Sequence, residues 1–222
     1  MKRGSFFRSA RLALVAAVCL GAGAANATIV WTADKHPGAK NINFEAQHNV
    51  TVVPGDANLG GGTHVGFTFD NAGILLHSQN GVCCIRAADP YDPAKNPDGD
   101  KFLRLDGQPE AGWGASVWDF TLDTMGAGSV TLYAWDQDNN MFQATFPVVG
   151  TPAENDFLAT ASGGELITKI RWVSDVHVHD FHHSAVEMEK IQGNGNGAPE
   201  PATLLLLGVG LGAAGFAGRR RR

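Results

Sequence analysis

The chain has 222 residues and a formal net charge of −5, but eight of its 17 Lys and Arg residues lie in the two end segments. Since Glu200 is the only acidic residue outside 28–198, that central segment holds 9 basic and 21 acidic residues, a net charge of −12. A surface this acidic repels phosphate backbones, which argues against nucleic-acid binding. The central segment has the length of one domain with a full hydrophobic core.

The N-terminus has the organisation of a secretory signal peptide. A basic stretch ending at Arg11 precedes an apolar run from 12 to 25, and Ala25-Asn26-Ala27 is a small-x-small cleavage site. The apolar run is too short for a comfortable permanent membrane span. We expect residues 1–27 to be removed after Ala27; the alternative is an uncleaved anchor.

Alternation of apolar and polar residues, broken by Gly, Pro, Asn and Asp, predicts short strands throughout 28–191. The predicted strands are 41–44, 49–53, 65–69, 73–76, 102–105, 116–122, 129–135, 141–146, 166–173 and 185–191. This pattern predicts an all-β fold, namely a two-sheet antiparallel β-sandwich of jelly-roll type. The domain has no nucleophile elbow, His-Glu-x-x-His or phosphate-binding loop, so we expect it not to be an enzyme.

Cys83 and Cys84 are the only cysteines left once the signal peptide is removed. Two cysteines exclude a disulfide framework and a four-cysteine zinc site. Their Cα atoms are about 3.8 Å apart, below the usual disulfide range. Either a vicinal disulfide or two thiols on opposite faces of a strand fits the sequence.

The irregular segment 89–100 is rich in oxygen ligands. Its candidate calcium ligands are Asp89, Asp92, Asn96, Asp98 and Asp100. Calcium takes six to eight oxygens, although the spacing here is not that of an EF-hand. The alternative is a proline-stiffened, solvated turn whose Asp and Asn side chains cap their own backbone. Calcium is the cofactor that this segment predicts.

Two tryptophans are predicted to stack on a ligand. Trp113 lies between two glycines in an expected loop, and Trp135 lies on the strand face opposite Val130, Leu132 and Ala134. Exposed aromatic rings bind sugars by stacking, whereas most aromatic residues of a sandwich face its core. Both roles are open for these two rings.

A histidine-rich stretch follows near the end of the domain. On a strand His177 and His179 share a face, and His183 or Asp180 could complete a zinc or copper site. The spacing fits no established zinc pattern. The alternative is a polar loop between the last two strands.

The C-terminus has three parts after a flexible Gly/Asn linker at 192–198. Pro199-Glu200-Pro201 precedes an apolar run, 202–218, which is a candidate transmembrane helix of about 25 Å. The chain then ends in a basic stop that stays cytoplasmic, formed by Arg219, Arg220, Arg221 and Arg222. This segment, 199–222, closely resembles the PEP-CTERM sorting segment of exported proteins in Gram-negative bacteria. The alternative is an ordinary tail anchor.

The PEP-CTERM resemblance implies recognition and cleavage by an exosortase-type transpeptidase, in organisms that make extracellular polysaccharide. Residues 102–187 also resemble, loosely, the sandwich domains that often precede this tail and look like carbohydrate-binding modules. We therefore expect a protein of the cell surface or extracellular matrix that binds carbohydrate and is held in the inner membrane before processing. The alternatives are a structural matrix protein without a defined ligand and a hydrolase with a dispersed site.

Overall fold

The computed structural model describes residues 28–192. The predicted signal peptide with Ala25 and Ala27, the rest of the linker, the candidate transmembrane helix 202–218 and the terminal arginines lie outside the described residues. The chain divides into two units, Met1–Ile191 and Gln192–Arg222, and every strand below belongs to the first. Between residues 28 and 192 there is no helix long and apolar enough to cross a membrane.

The described part of the chain contains fourteen strands. They are β1 (Thr28–Thr32), β2 (Lys40–Phe44), β3 (Gln47–Val50), β4 (Val52–Gly60), β5 (Thr63–Asp70), β6 (Leu76–Ser78), β7 (Ile85–Ala87), β8 (Arg104–Pro109), β9 (Trp113–Thr124), β10 (Gly128–Trp135), β11 (Met141–Val148), β12 (Asn155–Ser162), β13 (Lys169–Ser174) and β14 (Val178–Lys190).

The strands form two antiparallel layers that are joined through β14. One layer has the order β1-β12-β9-β14-β7-β6-β3, and the other has the order β2-β4-β5-β8-β13-β10-β11. One edge of β14 pairs with β9, while the other pairs with β7 at Phe181 and with β2 at Ala185 and Val186. Because β1 and β11 also approach within 8 Å, the sheet is nearly closed and barrel-like.

The all-β, antiparallel prediction is confirmed, but the two sheets of the predicted sandwich are continuous with each other. The cause lies in β14, whose 13 residues contain several register shifts against β9. Such bulges bend a strand and increase its twist, so one strand can contribute to both layers.

Aromatic rings from both layers form the centre of the core. The ring of Phe69 in β5 lies 5.5 Å from that of Phe181 in β14 and 6.4 Å from that of Trp118 in β9. All three side chains are completely buried. Burial of large aromatic side chains in edge-to-face and tilted contacts provides much of the stabilisation of a domain of this size. The outward-facing side chains of each layer are therefore the ones available to ligands.

Candidate functional site

An aromatic pair lies on the outer face of β10. Tyr133 and Trp135 are two residues apart, so they share the face opposite Val130, Leu132 and Ala134, which are completely buried. The rings of Tyr133 and Trp135 stack with centroids 6.1 Å apart and planes inclined by 24°. Both side chains are half-buried, so part of each ring faces solvent.

Two cations from the neighbouring strand β13 hold the Trp135 ring in place. Lys169 is paired with Trp135 and Arg171 with Tyr133 in the strand register. Lys169 Nζ lies 5.3 Å from the centroid of the Trp135 ring, and Arg171 Cζ lies 5.4 Å from it. Cations at this distance from an indole are attracted by its electron-rich face. The ring is thus oriented by charged neighbours as well as by its partial burial.

Asp106 on β8 forms ion pairs with both of these cations. Arg171 donates two hydrogen bonds to its carboxylate, and Arg104 and Lys169 complete the cluster with nitrogen–oxygen distances of 2.9 and 3.4 Å. Burial alone would raise the pKa of Asp106, but the hydrogen bonds from Arg171 and Arg104 and the charge of Lys169 hold that pKa well below its usual range. Asp106 is therefore a fixed anion that holds the two cations in contact with Trp135.

The second predicted stacking residue, Trp113, begins β9 in the other layer. It is half-buried, packs partly against the core, and has Lys190 Nζ 5.4 Å from its ring centroid. The chain has five tryptophans, and the other three, Trp31, Trp118 and Trp172, are buried. The two rings selected from the sequence are thus the two that reach solvent, whereas their stacking on a ligand stays a prediction.

The predicted calcium segment is folded through its own hydrogen bonds. Asp92 Oδ1 accepts hydrogen bonds from two backbone N–H groups of the loop at 2.9 and 3.2 Å. Asn96 Nδ2 donates to Asp89 Oδ1 at 2.6 Å, and Asp98 is exposed. Within the described residues no three carboxylates of this loop, Asp100 included, converge on one point. This geometry favours the self-capped turn.

The three predicted histidine ligands have separate partners. The Phe102 N–H donates to His177 Nδ1 at 3.1 Å, and burial lowers the pKa of His177. His179 Nδ1 lies 2.6 Å from Asp180 Oδ2, while His183 Nδ1 lies 2.9 Å from the ring of His182. Over residues 28–192 the structure does not gather the three histidines, with or without Asp180, into one ligand group.

Three other side chains that could bind a metal ion lie close to one another. Asp123, Glu154 and His182 each place one ligand atom within 4.8 Å of the others. Sequence reasoning missed this group because its members come from β9, from the turn before β12 and from β14. The one available signal was the alternation of β9, which places Asp123 on the face opposite the buried Phe120 and Leu122.

Cys83 and Cys84 are joined by a disulfide in the half-buried segment between β6 and β7. Of the two arrangements that the sequence left open, the structure has the vicinal bridge. Because both sulfur atoms are in the disulfide, neither residue has a free thiol that could act as a nucleophile or a metal ligand.

Comparisons with known proteins bear mainly on the tail. Among solved structures, the chain is similar to the enzymatically active domain of tailspike protein 4 from bacteriophage CBA120, with 8% sequence identity and a TM-score of 0.26. The alignment covers 75% of the present chain but only 20% of the tailspike chain. No curated protein matches the chain. Residues 198–222 match the family model of the PEP-CTERM protein-sorting motif. The C-terminal tail of this chain is therefore a PEP-CTERM sorting motif, as its Pro-Glu-Pro sequence, apolar run and terminal arginines predicted.

Proposed function

We propose that this is an exported cell-surface or extracellular-matrix protein that binds carbohydrate on a jelly-roll-like β-sandwich and is released from its tail by an exosortase. The PEP-CTERM motif at 198–222 implies export and exosortase-dependent sorting to the surface of a Gram-negative bacterium. Carbohydrate binding is assigned to the Trp135 surface, defined as Tyr133, Trp135, Gln143, Lys169 and Arg171. The observation that carries this assignment is the solvent-facing Tyr133–Trp135 stack.

The chemistry of the Trp135 surface suits a sugar ring. The C–H face of a pyranose stacks on an indole, and its hydroxyls need hydrogen-bond partners at the edge of that ring. Arg171, Tyr133 and the exposed Gln143 occupy consecutive positions of one row across β13, β10 and β11, so donors and acceptors flank the aromatic pair. A flat array of this kind fits a polysaccharide chain better than an enclosed small molecule.

The charge of this region favours an acidic polysaccharide. Three of the 9 basic residues of the domain, Arg104, Lys169 and Arg171, lie together around Asp106, with Asp70 opposite it. Three cations against two carboxylates give a local positive excess on a domain whose net charge is −12. A glycan that carries carboxylates would therefore be attracted here and repelled elsewhere.

A glycan array that contains neutral and acidic glycans, probed with the purified protein, tests the proposal. Such sites bind in the micromolar to millimolar range, about −4 to −8 kcal/mol, so removing one stacked ring should abolish detectable binding. We expect Trp135→Ala to lose binding and remain folded. Val30→Ala, an exposed strand residue of the other layer, is the control and should bind as the native protein does.

Trp113→Ala decides whether the second half-buried tryptophan belongs to the same site. Loss of binding in both tryptophan variants would place the two rings in one extended site, whereas loss in Trp135→Ala alone confines it to the Trp135 surface. Retained binding in both variants would contradict the assignment. If the native protein binds no glycan, the structural matrix protein becomes the better description.

A further inference from the structure

A polar cluster lies on the outer face of the layer that does not contain the Trp135 surface. It consists of Asp123 on β9, Glu154 just before β12 and His182 on β14. We propose that these three residues bind a divalent metal ion of the zinc class. The proposal is independent of the carbohydrate site, with which it shares no residue.

The spacing of two of the ligand atoms already matches a zinc site. His182 Nε2 lies 3.5 Å from Asp123 Oδ1. In a tetrahedral site with metal–ligand bonds of 2.0–2.2 Å, neighbouring ligand atoms are about 3.4 Å apart. A Glu154 oxygen lies within 4.8 Å of a ring nitrogen of His182 and of a carboxylate oxygen of Asp123, and the Glu154 side chain is exposed. Closing the site therefore requires a small movement of one solvent-exposed side chain.

The buried ring nitrogen of His182 is a second feature that indicates a bound ligand. The residue is 7% exposed, yet its Nε2 atom is buried and makes no hydrogen bond within residues 28–192. A buried nitrogen without a partner costs free energy. Asp123 is close enough for an ion pair but is not placed to form a hydrogen bond. A metal ion between His182 and Asp123 would give the nitrogen its missing partner.

The contact with the neighbouring histidine engages Nδ1 of His182 and so leaves Nε2 as the nitrogen that faces the ion. His182 Nδ1 lies 2.9 Å from His183 Nδ1, so one of these atoms donates a proton and the other accepts it. A proton on His182 Nδ1 leaves Nε2 free to bind a metal, the usual arrangement for metal-binding histidines. At this contact His183 has a φ of 50°, lies within a register shift of β14 and donates its N–H to Val82 O.

The ligand types select the class of ion. One imidazole and two carboxylates suit zinc and similar transition ions, whereas calcium and magnesium prefer ligands that are all oxygen. The nearby Asp156 is already occupied, because Thr121 Oγ1 donates to it at 2.7 Å and Lys35 Nζ lies 3.0 Å from it. Three protein ligands remain, and water would complete the coordination on the side of the exposed Glu154.

Lys35 opposes the binding of an ion at this place. Its Nζ lies 3.7 Å from Glu154 Oε2, so its positive charge partly neutralises one of the three ligands. Removing that charge leaves the carboxylate available and lowers the repulsion of an incoming cation. Lys35→Met should therefore tighten binding several-fold, in contrast to any change at a ligand.

Calorimetric titration of the untagged, chelator-treated protein with zinc chloride tests the proposal. We expect one zinc ion per chain and no saturable binding of calcium. His182→Ala and Glu154→Gln should each weaken zinc binding at least about tenfold, since even the loss of an outer hydrogen bond to a ligand weakens metal binding by that factor. Because Glu154 is exposed, Glu154→Gln should fold normally even if His182→Ala does not.

The control is His179→Ala, a half-buried histidine on the same strand that does not belong to the group. It should bind zinc as tightly as the native protein. In the cobalt-substituted protein, the visible absorption should change in His182→Ala and not in His179→Ala. Absence of saturable zinc binding would overturn the proposal, as would native affinity in Glu154→Gln. Weakening by His179→Ala alone would move the site to the histidines chosen from the sequence.

Discussion

Arg171 and Asp106 form a two-point ion pair that crosses from β13 to β8. Arg171 Nε donates to Asp106 Oδ1 at 2.5 Å, and Arg171 Nη2 donates to Asp106 Oδ2 at 2.7 Å. The same guanidinium lies 5.4 Å from the ring centroid of Trp135. The buried carboxylate thereby fixes the cation, and the cation orients the half-buried ring. The geometry of the Trp135 surface consequently depends on a residue that no ligand would touch.

Asp106→Asn should lower the free energy of unfolding at pH 7 by about 2–3 kcal/mol. Removing one partner of a buried ion pair leaves its cations uncompensated, but here the cations are partly exposed and the loss is reduced by solvent. Urea denaturation followed by tryptophan fluorescence measures the change. Asp98→Asn, at an exposed carboxylate, is the matched control and should be neutral within about 0.5 kcal/mol. A neutral Asp106→Asn would show that the cluster contributes little.

The pKa of Asp106 also predicts how stability depends on pH. Its pKa is depressed in the folded protein, so its contribution is complete above the ordinary carboxyl pKa of about 4. As pH falls below that value the unfolded chain takes up the proton first, and the contribution is lost as pH approaches the folded pKa. Between pH 5 and pH 2 the native protein should lose more unfolding free energy than Asp106→Asn. Equal losses would contradict this assignment.

Much of the fold was predictable because alternation along a strand is a local property. Trp118, Phe120 and Leu122 mark the inner face of β9 in the sequence, and all three are buried. The strand β12 was not predicted, because Phe157 and Ala159 are its only buried hydrophobic residues. Its remaining Thr, Ala and Ser residues give no clear apolar–polar alternation. The long β14 was predicted only in its second half, because its register shifts break the alternation at the histidines.

The two surfaces differ in how far the sequence could predict them. Trp135 was identifiable because its exposure follows from alternation within one strand. The cluster of Asp123, Glu154 and His182 was not, since β9, the turn before β12 and β14 meet only through the pairing of the folded sheet. Within the histidine-rich stretch, a register shift follows His182. His183 therefore does not keep the face that simple alternation along the strand would give it.

Two buried tryptophans form a matched pair for testing one hydrogen bond. Trp118 Nε1 donates to Ser184 Oγ at 3.0 Å, whereas Trp172 Nε1 has no hydrogen-bond partner between residues 28 and 192. Both indoles are completely buried. Trp118→Phe leaves a buried hydroxyl without its donor, while Trp172→Phe removes an unpaired N–H group. Urea denaturation should therefore show Trp118→Phe to be the more destabilising by about 1 kcal/mol. Equal effects would mean that the bond contributes nothing net.

The segment 89–100 should fold without calcium. Asp92 and Asn96 already satisfy groups of their own loop, so a bound ion would have to displace those hydrogen bonds. Millimolar calcium should leave the melting temperature unchanged in the native protein. A rise that disappears when Asp98→Ala is combined with Asp100→Ala would instead establish this loop as a calcium site.

The tail should be removed after export. A helix over 202–218 reaches about 25 Å, short of the roughly 30 Å hydrocarbon core, and five glycines weaken it further. Such a span suits temporary retention before cleavage at a recognised motif. Mass spectrometry of the mature surface protein should show that residues 1–27 and 202–222 are missing. Replacing Pro199, Glu200 and Pro201 by alanine leaves the span and the arginines intact, so this variant should stay in the inner membrane with Arg222 present. Recovery of the native protein in that same form alone would show that the segment is a permanent anchor.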